Sequence, residues 1–296
     1  KNEERVFTMK RDKVVVENIE SQMIDSEIGY IYIKSFEGDA TFKQFREAYD
    51  NLVSKGMKKL IVDVRNNGGG IMEQALYIGE LFCNPNQKLI IEKDKDGLEK
   101  TTLSKNEKVI TMDTILLVNQ YSASASEILA GILKENVQNV KIVGVKTYGK
   151  GVVQGLFTLP DQSGLKLTIE EYFTPKHSEI NGIGITPDVE VKDYQFKGKL
   201  DKDNDKQFIK ALELLKENDA LSLIPKEKLF HIRKIFFAVR FSSMNRKKSL
   251  YDLYDLMIDN NGFGDFLLKN LKGSSNRINR KEVRSFLKNE VSDKAY

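Results

Sequence analysis

Two apolar runs, each ending in a cluster of very small residues, constrain this chain more than any other feature. KKLIVDVR (58–65) runs into NNGGG and then into IMEQALYIGELF (71–82). TILLVN (114–119) runs into SASAS and then into an apolar-periodic stretch ending near Glu135. The four- to five-residue apolar cores read as buried strands, and the periodicity that follows reads as helix. Strands that alternate with helices in this way imply an α/β sheet domain with its helices packed outside.

The remaining elements fit that plan. VFTM and KVVVEN, around the turn-like KRD, read as two short strands over 5–16. GYIYIKSF (29–36) alternates as a strand does. Over 41–56, Phe42, Phe45, Ala48 and Leu52 fall on one helical face and Gly56 is the stop signal. KLIIEK and VKIVGV are further strands, and VVQGLFTL with GLKLTIEEYFTP forms a hairpin around PDQSG. After DVEVKD (188–193) the character changes. YQFKGKLDKDND (194–205) reads as a linker, and from 203 onward the chain is Lys-rich and helical in pattern. The expected organisation is therefore terminal strands over 1–20, an α/β core over 21–195, and a helical region over 196–296.

Composition excludes several classes of function. With 296 residues, 40% apolar and 30% charged, the chain is neither disordered nor membrane-embedded, and it is long enough for one large domain with an appendage. A net charge of +4 does not argue for nucleic acid. The basic stretches at 226–250 and 268–288 read as solvated helix faces. One cysteine, Cys83, permits no intramolecular disulfide, and with only His177 and His231 beside it there is no zinc cluster and no Cys/His peptidase. Cys83 reads as a small core hydrophobe. NRINRKE resembles the exit of a calcium loop, but Leu271, Gly273 and Ser275 before it supply no carboxylates. No metal or cofactor is expected.

Chemistry concentrates at the two small-residue clusters. Gly68, Gly69 and Gly70 let the backbone approach a ligand closely and turn N–H groups outward at a helix start. Such a nest suits phosphate or a developing oxyanion, or is simply a tight turn. At SASAS a serine hydroxyl would face the positive end of a helix, as at a nucleophile elbow. Ordinary N-capping by Ser122 or Ser124, with Glu127 completing a capping box, explains the same residues. A serine nucleophile needs a base, and in a chain so poor in histidine a lysine is the alternative. Lys150 lies between Gly149 and Gly151, with Gln154 four residues on to orient its amine. Ser163 and Lys166 have SxxK spacing, but they fall in a turn and strand rather than on a helix.

VDVRNNGGG (62–70), NQYSASASEILAGILKE (119–135) and YGKGVVQ (148–154) resemble, in order, the motifs of the S41 peptidases, the C-terminal-processing (tail-specific) proteases. IGYIYIKSF (28–36) and YFTPKHSEINGIGITPDVEV (172–191) are similar to that family's first core strand and closing segment. The resemblance implies a ClpP/crotonase-like core of stacked ββα units followed by a small α-helical region. It implies a serine endopeptidase with Ser124 as nucleophile, Lys150 as general base and Gln154 assisting the lysine. The oxyanion hole would be the N–H of Ala125 with that of Gly69 or Gly70. Gly68 stands where the family usually has proline, and the serine-to-lysine segment is one residue longer than the common pattern. Substrates would be proteins with accessible C-terminal tails, at a bacterial extracytoplasmic location. The opening residues resemble the last strands of a PDZ domain, so a regulatory partner acting through that domain is expected, and a homodimer through the C-terminal helices. The alternatives are a non-catalytic binding module on the same fold, and a crotonase-type enzyme acting on thioesters, for which no coenzyme A feature is found.

Overall fold

The computed structural model describes residues 16–192 and 196–222, with side chains through Lys216. The expected strands over 5–16 and the expected helices beyond residue 222 lie outside the described residues.

A six-stranded sheet forms the base of the molecule. Its strands are β1 (Ile19–Met23), β2 (Ile28–Ile33), β3 (Lys59–Asp63), β6 (Thr114–Val118), β7 (Val140–Gly144) and β10 (Val189–Glu190), in the order β1-β2-β3-β6-β7-β10. Only β1 is antiparallel to its neighbour. β2, β3 and β6 are buried at every position, as strands covered on both faces are, and the alternation legible in β2 is of aromatic with aliphatic side chains rather than of buried with exposed ones. Parallel pairing, with Val62 opposite Leu116 and Leu116 opposite Ile142, brings the exits of β3, β6 and β7 to one end of the sheet. The two small-residue clusters and the lysine loop all start there.

A second, antiparallel sheet has the order β5-β4-β9-β8, from β4 (Lys88–Asp94), β5 (Glu99–Leu103), β8 (Val152–Thr158) and β9 (Gly164–Phe173). Ser163 lies in the turn between β8 and β9, its hydroxyl donating to Asp161, and Lys166 lies in β9; the two share no helix. Of the helices, α1 (Thr41–Ser54) packs on β1 and β2, α2 (Met72–Glu80) packs on α1 and β4, and α3 (Ala125–Asn136) packs on α2, β7 and β4. On α1, Phe45, Tyr49 and Leu52 are buried, with Phe42 and Ala48 half-buried beside them. Gly56 ends the turn with φ +95°, as a glycine stop requires. At the α2–α3 crossing a Cβ on Gly79 would lie 2.8 Å from Ile132, so glycine permits the approach. Cys83 is fully buried and free, and burial pushes its thiol up to about 11.

The break in contacts falls between Leu212 and Glu213. Residues 196–212, which the sequence pattern groups with the helical region, therefore pack with the core. The reason is a buried cation. Arg65 is fully enclosed and meets Asp63 at 2.7 Å and Asp205 at 2.7 Å, with Gln207 Oε1 accepting from Nη1 at 3.0 Å. The Phe196 ring lies 4.0 Å over its guanidinium. Asp205 also caps α4 (Lys206–Ser222), its Oδ1 accepting from the Phe208 N–H at 3.0 Å. Burial alone would lower the Arg65 pKa, but the two carboxylates outweigh it and hold the cation charged.

Candidate active site

Ser124 sits between β6 and α3 with φ +56° and ψ −117°. This left-handed-side backbone is rare for a residue with a Cβ and costs of order 1–3 kcal/mol. An ordinary N-cap residue adopts an extended backbone instead. The capping reading is thus only half of what is seen. Glu127 accepts from the Ser124 N–H at 3.0 Å, but on a turn bent into a strained elbow.

The three alternating serines have different fates. Ser122 and Ser126 are fully buried, and their hydroxyls are spent on main-chain carbonyls of the glycine loop. Ser122 donates to Val64 O at 2.8 Å and Ser126 to Asn67 O at 2.9 Å. Ser124 alone of the three is half-exposed. The outer two serve to staple the β6 turn to the β3 turn, and the middle one is presented.

The glycine loop is built around Asn67. Its Nδ2 donates to Ile33 O at 2.8 Å, and its Oδ1 accepts from the Gly69 N–H at 2.9 Å. Gly69 (φ +103°) lies so close to the elbow that a Cβ there would be 2.7 Å from Ser124 Cβ and 3.0 Å from Ala125 N. Gly70 (φ +144°) is pressed onto β2's exit, where a Cβ would lie 2.3 Å from the Phe36 carbonyl carbon. The Gly69 N–H is therefore committed to Asn67. Those of Gly70 and Ala125 take no acceptor among the described residues.

Lys150 is brought to the elbow by a fully buried carboxylate. Glu127 Oε2 accepts from both the Ser124 N–H (3.0 Å) and the Lys150 N–H (2.8 Å), while Oε1 accepts from Gly149 N–H (2.7 Å) and Thr147 Oγ1 (2.5 Å). One side chain thus binds the main chain of the nucleophile turn and of the lysine loop together. The Lys150 side chain is half-buried, and its Nζ makes no ion pair or hydrogen bond among the described residues. Gln154 stands in β8 opposite Thr168, exposed, and its side chain forms no hydrogen bond with Lys150 among the described contacts.

In the sequence Glu127 is legible only as a cap partner of Ser124, and Asn67 carries no signal at all. The i,i+3 spacing to Ser124 was visible. The N–H donors supplied from residues 149 and 150 were not.

With this geometry in view, comparison with known proteins decides the family. The profile described as "Peptidase family S41" matches residues 27–191. The chain belongs to peptidase family S41. Among curated S41-type relatives, the carboxy-terminal processing protease CtpA of Bacillus subtilis (strain 168) is 38% identical over 190 residues, covering 64% of this chain and 40% of that one. The chloroplastic carboxyl-terminal-processing peptidase 1 of Arabidopsis thaliana is 39% identical over 162 residues, covering 54% and 33%. Among solved structures, a photosystem II D1 C-terminal processing protease superposes with a TM-score of 0.53 at 28% identity, over 61% of this chain and 50% of that one. The α/β architecture is thus that of S41 proteases. The chain spans between 40% and 53% of the length of the first three curated relatives.

Proposed function

We propose that this chain carries the catalytic core of a serine endopeptidase that cleaves protein substrates near their C-termini by a Ser124/Lys150 acyl-enzyme mechanism. The observation that carries the reading is the different treatment of the three serines. Two hydroxyls are buried and spent, and the third stands on a strained turn at a helix start, tied through Glu127 to a lysine with no carboxylate partner among the described residues.

In this reading neutral Lys150 takes the Ser124 proton as Oγ attacks the scissile carbonyl. The new oxyanion lies against the N–H groups of Ala125 and Gly70, Gly69 being the close-approach residue rather than a donor. Protonated Lys150 gives its proton to the leaving amine, and water activated by the same lysine releases the acyl group. Gln154 is assigned its lysine-orienting role by family resemblance. The names of the relatives support C-terminal processing as the reaction and proteins as the substrate class. An extracytoplasmic site of action goes with this reading. Among the described residues no helix is long and apolar enough to cross a membrane.

The test is hydrolysis of unfolded casein by the full-length protein beside Ser124→Ala and Lys150→Ala. Loss of cleavage in both, with unchanged thermal melting, is the expected result. Equal cleavage by all three would overturn the dyad. Retained peptide binding without any cleavage by the parent would favour a binding module on the same fold.

A further inference from the structure

The dyad accounts for Ser124 and Lys150 but leaves one buried polar side chain beside them without a role. Tyr172 is the next-to-last residue of β9 and only 2% exposed. Its main-chain N–H donates to Gly151 O at 2.9 Å, and its phenol donates to Lys150 O. The Ser124 side chain lies close to the same phenol. Burial, reinforced by the Glu127 charge, pushes its pKa far above the ordinary tyrosine value, so it stays neutral at every pH at which the enzyme would work.

The chemistry of a phenol then limits what it can do. It has one O–H to donate and lone pairs to accept with. The proton is committed to the Lys150 carbonyl, so toward Ser124 the oxygen can only accept. A serine hydroxyl at rest, before the base takes its proton, needs such an acceptor if its rotamer is to be held. Lys150 itself is held by Glu127 at its N–H and by Tyr172 at its carbonyl, which leaves only the side chain free to move.

We infer that Tyr172 is a positioning residue for the Ser124–Lys150 pair, fixing the lysine loop through the Lys150 carbonyl and accepting the resting Ser124 hydroxyl. The inference rests on the dyad reading above.

The experiment compares the full-length protein with Tyr172→Phe and Ser124→Ala, measuring kcat, KM, thermal melting and amide hydrogen exchange over residues 147–151. Tyr172→Phe keeps the ring in the core and deletes only the hydroxyl. The expected result is a roughly ten- to hundredfold fall in kcat with KM within about twofold. Exchange over 147–151 should rise about tenfold while the melting temperature holds. A residue that merely packs would move melting and leave the kcat-against-KM split untouched. Unchanged kcat in Tyr172→Phe with an inactive Ser124→Ala would overturn the positioning role while leaving the dyad standing. An active Ser124→Ala would instead sink the dyad. If the parent shows no turnover, exchange decides: faster exchange confined to 147–151 supports the role, and unchanged exchange overturns it.

Discussion

The turns leaving the parallel sheet and the β8–β9 hairpin are both strand-rich, glycine-punctuated segments, yet they are built on opposite terms. In the turns at 64–70 and 119–126, Arg65, Asn67, Ser122 and Ser126 are fully buried and each polar side chain has a protein partner. In the hairpin, Leu156 is 77% exposed, and Phe157, Leu165, Leu167 and Ile169 are all more than a third exposed. The first region is specified by hydrogen bonds from distant segments, the second by strand pairing and β-propensity alone. Substitution should therefore be read atom by atom in the first and barely at all in the exposed outer part of the second, from Leu156 to Ile169.

The contrast can be broken in several ways. The largest effect is expected at the elbow. Ser124→Gly should abolish peptidase activity yet stabilise the fold by about 1 kcal/mol, because glycine adopts φ +56° without penalty. Urea denaturation beside a casein assay reads both, and a destabilised variant would mean that the elbow is not strained.

Next is the buried cation. Arg65→Met leaves Asp63 and Asp205 without their counter-charge in a sealed site and should cost about 3–5 kcal/mol, seen as a lower denaturation midpoint. A loss under 1 kcal/mol would show that the network is replaceable. Smaller again are Ser122→Ala and Ser126→Ala, each removing a buried donor to a main-chain carbonyl at about 1–2 kcal/mol while activity survives. Leu167→Thr in the hairpin should stay within about 0.5 kcal/mol.

The smallest effect is a pH slope. The Glu99 carboxylate, 2.8 Å from the His177 ring, raises that imidazole's pKa above its ordinary value of about 6.5. Because the folded value is the higher one, the contact stabilises fully below the unfolded pKa and is lost as pH rises through the folded pKa. His177→Gln should flatten the pH dependence of melting on the alkaline side of the ordinary imidazole value of about 6.5. An unchanged slope would remove His177 from the account.

What the sequence disclosed follows from the same physics. β2, β3, β6 and β7 were legible because strands covered on both faces carry runs of apolar residues, interrupted here only by Lys59 and Asp63 at the ends of β3, Thr114 at the start of β6 and Lys141 in β7. β1 (IESQM) and β5 (EKTTL) were not, since both are edge strands most of whose side chains face water, so that pairing largely sets their place. Among site residues, Ser124, Lys150 and the glycines carried a local signature of small residues at strand ends. Arg65 meets a carboxylate 140 residues away and Glu127 meets N–H groups 22 and 23 residues away, and no local pattern encodes such partners.

The grip of Glu127 has a consequence for how reactivity could change on this scaffold. It holds main-chain N–H groups on both the elbow and the lysine loop, so it is blind to the side chains those positions carry. The spacing between the two reactive positions is a property of the backbone, inherited by whatever residues occupy them. A thiol at 124 or a different base at 150 would arrive already aligned, whereas a change at 127 would leave even the native pair without a common frame.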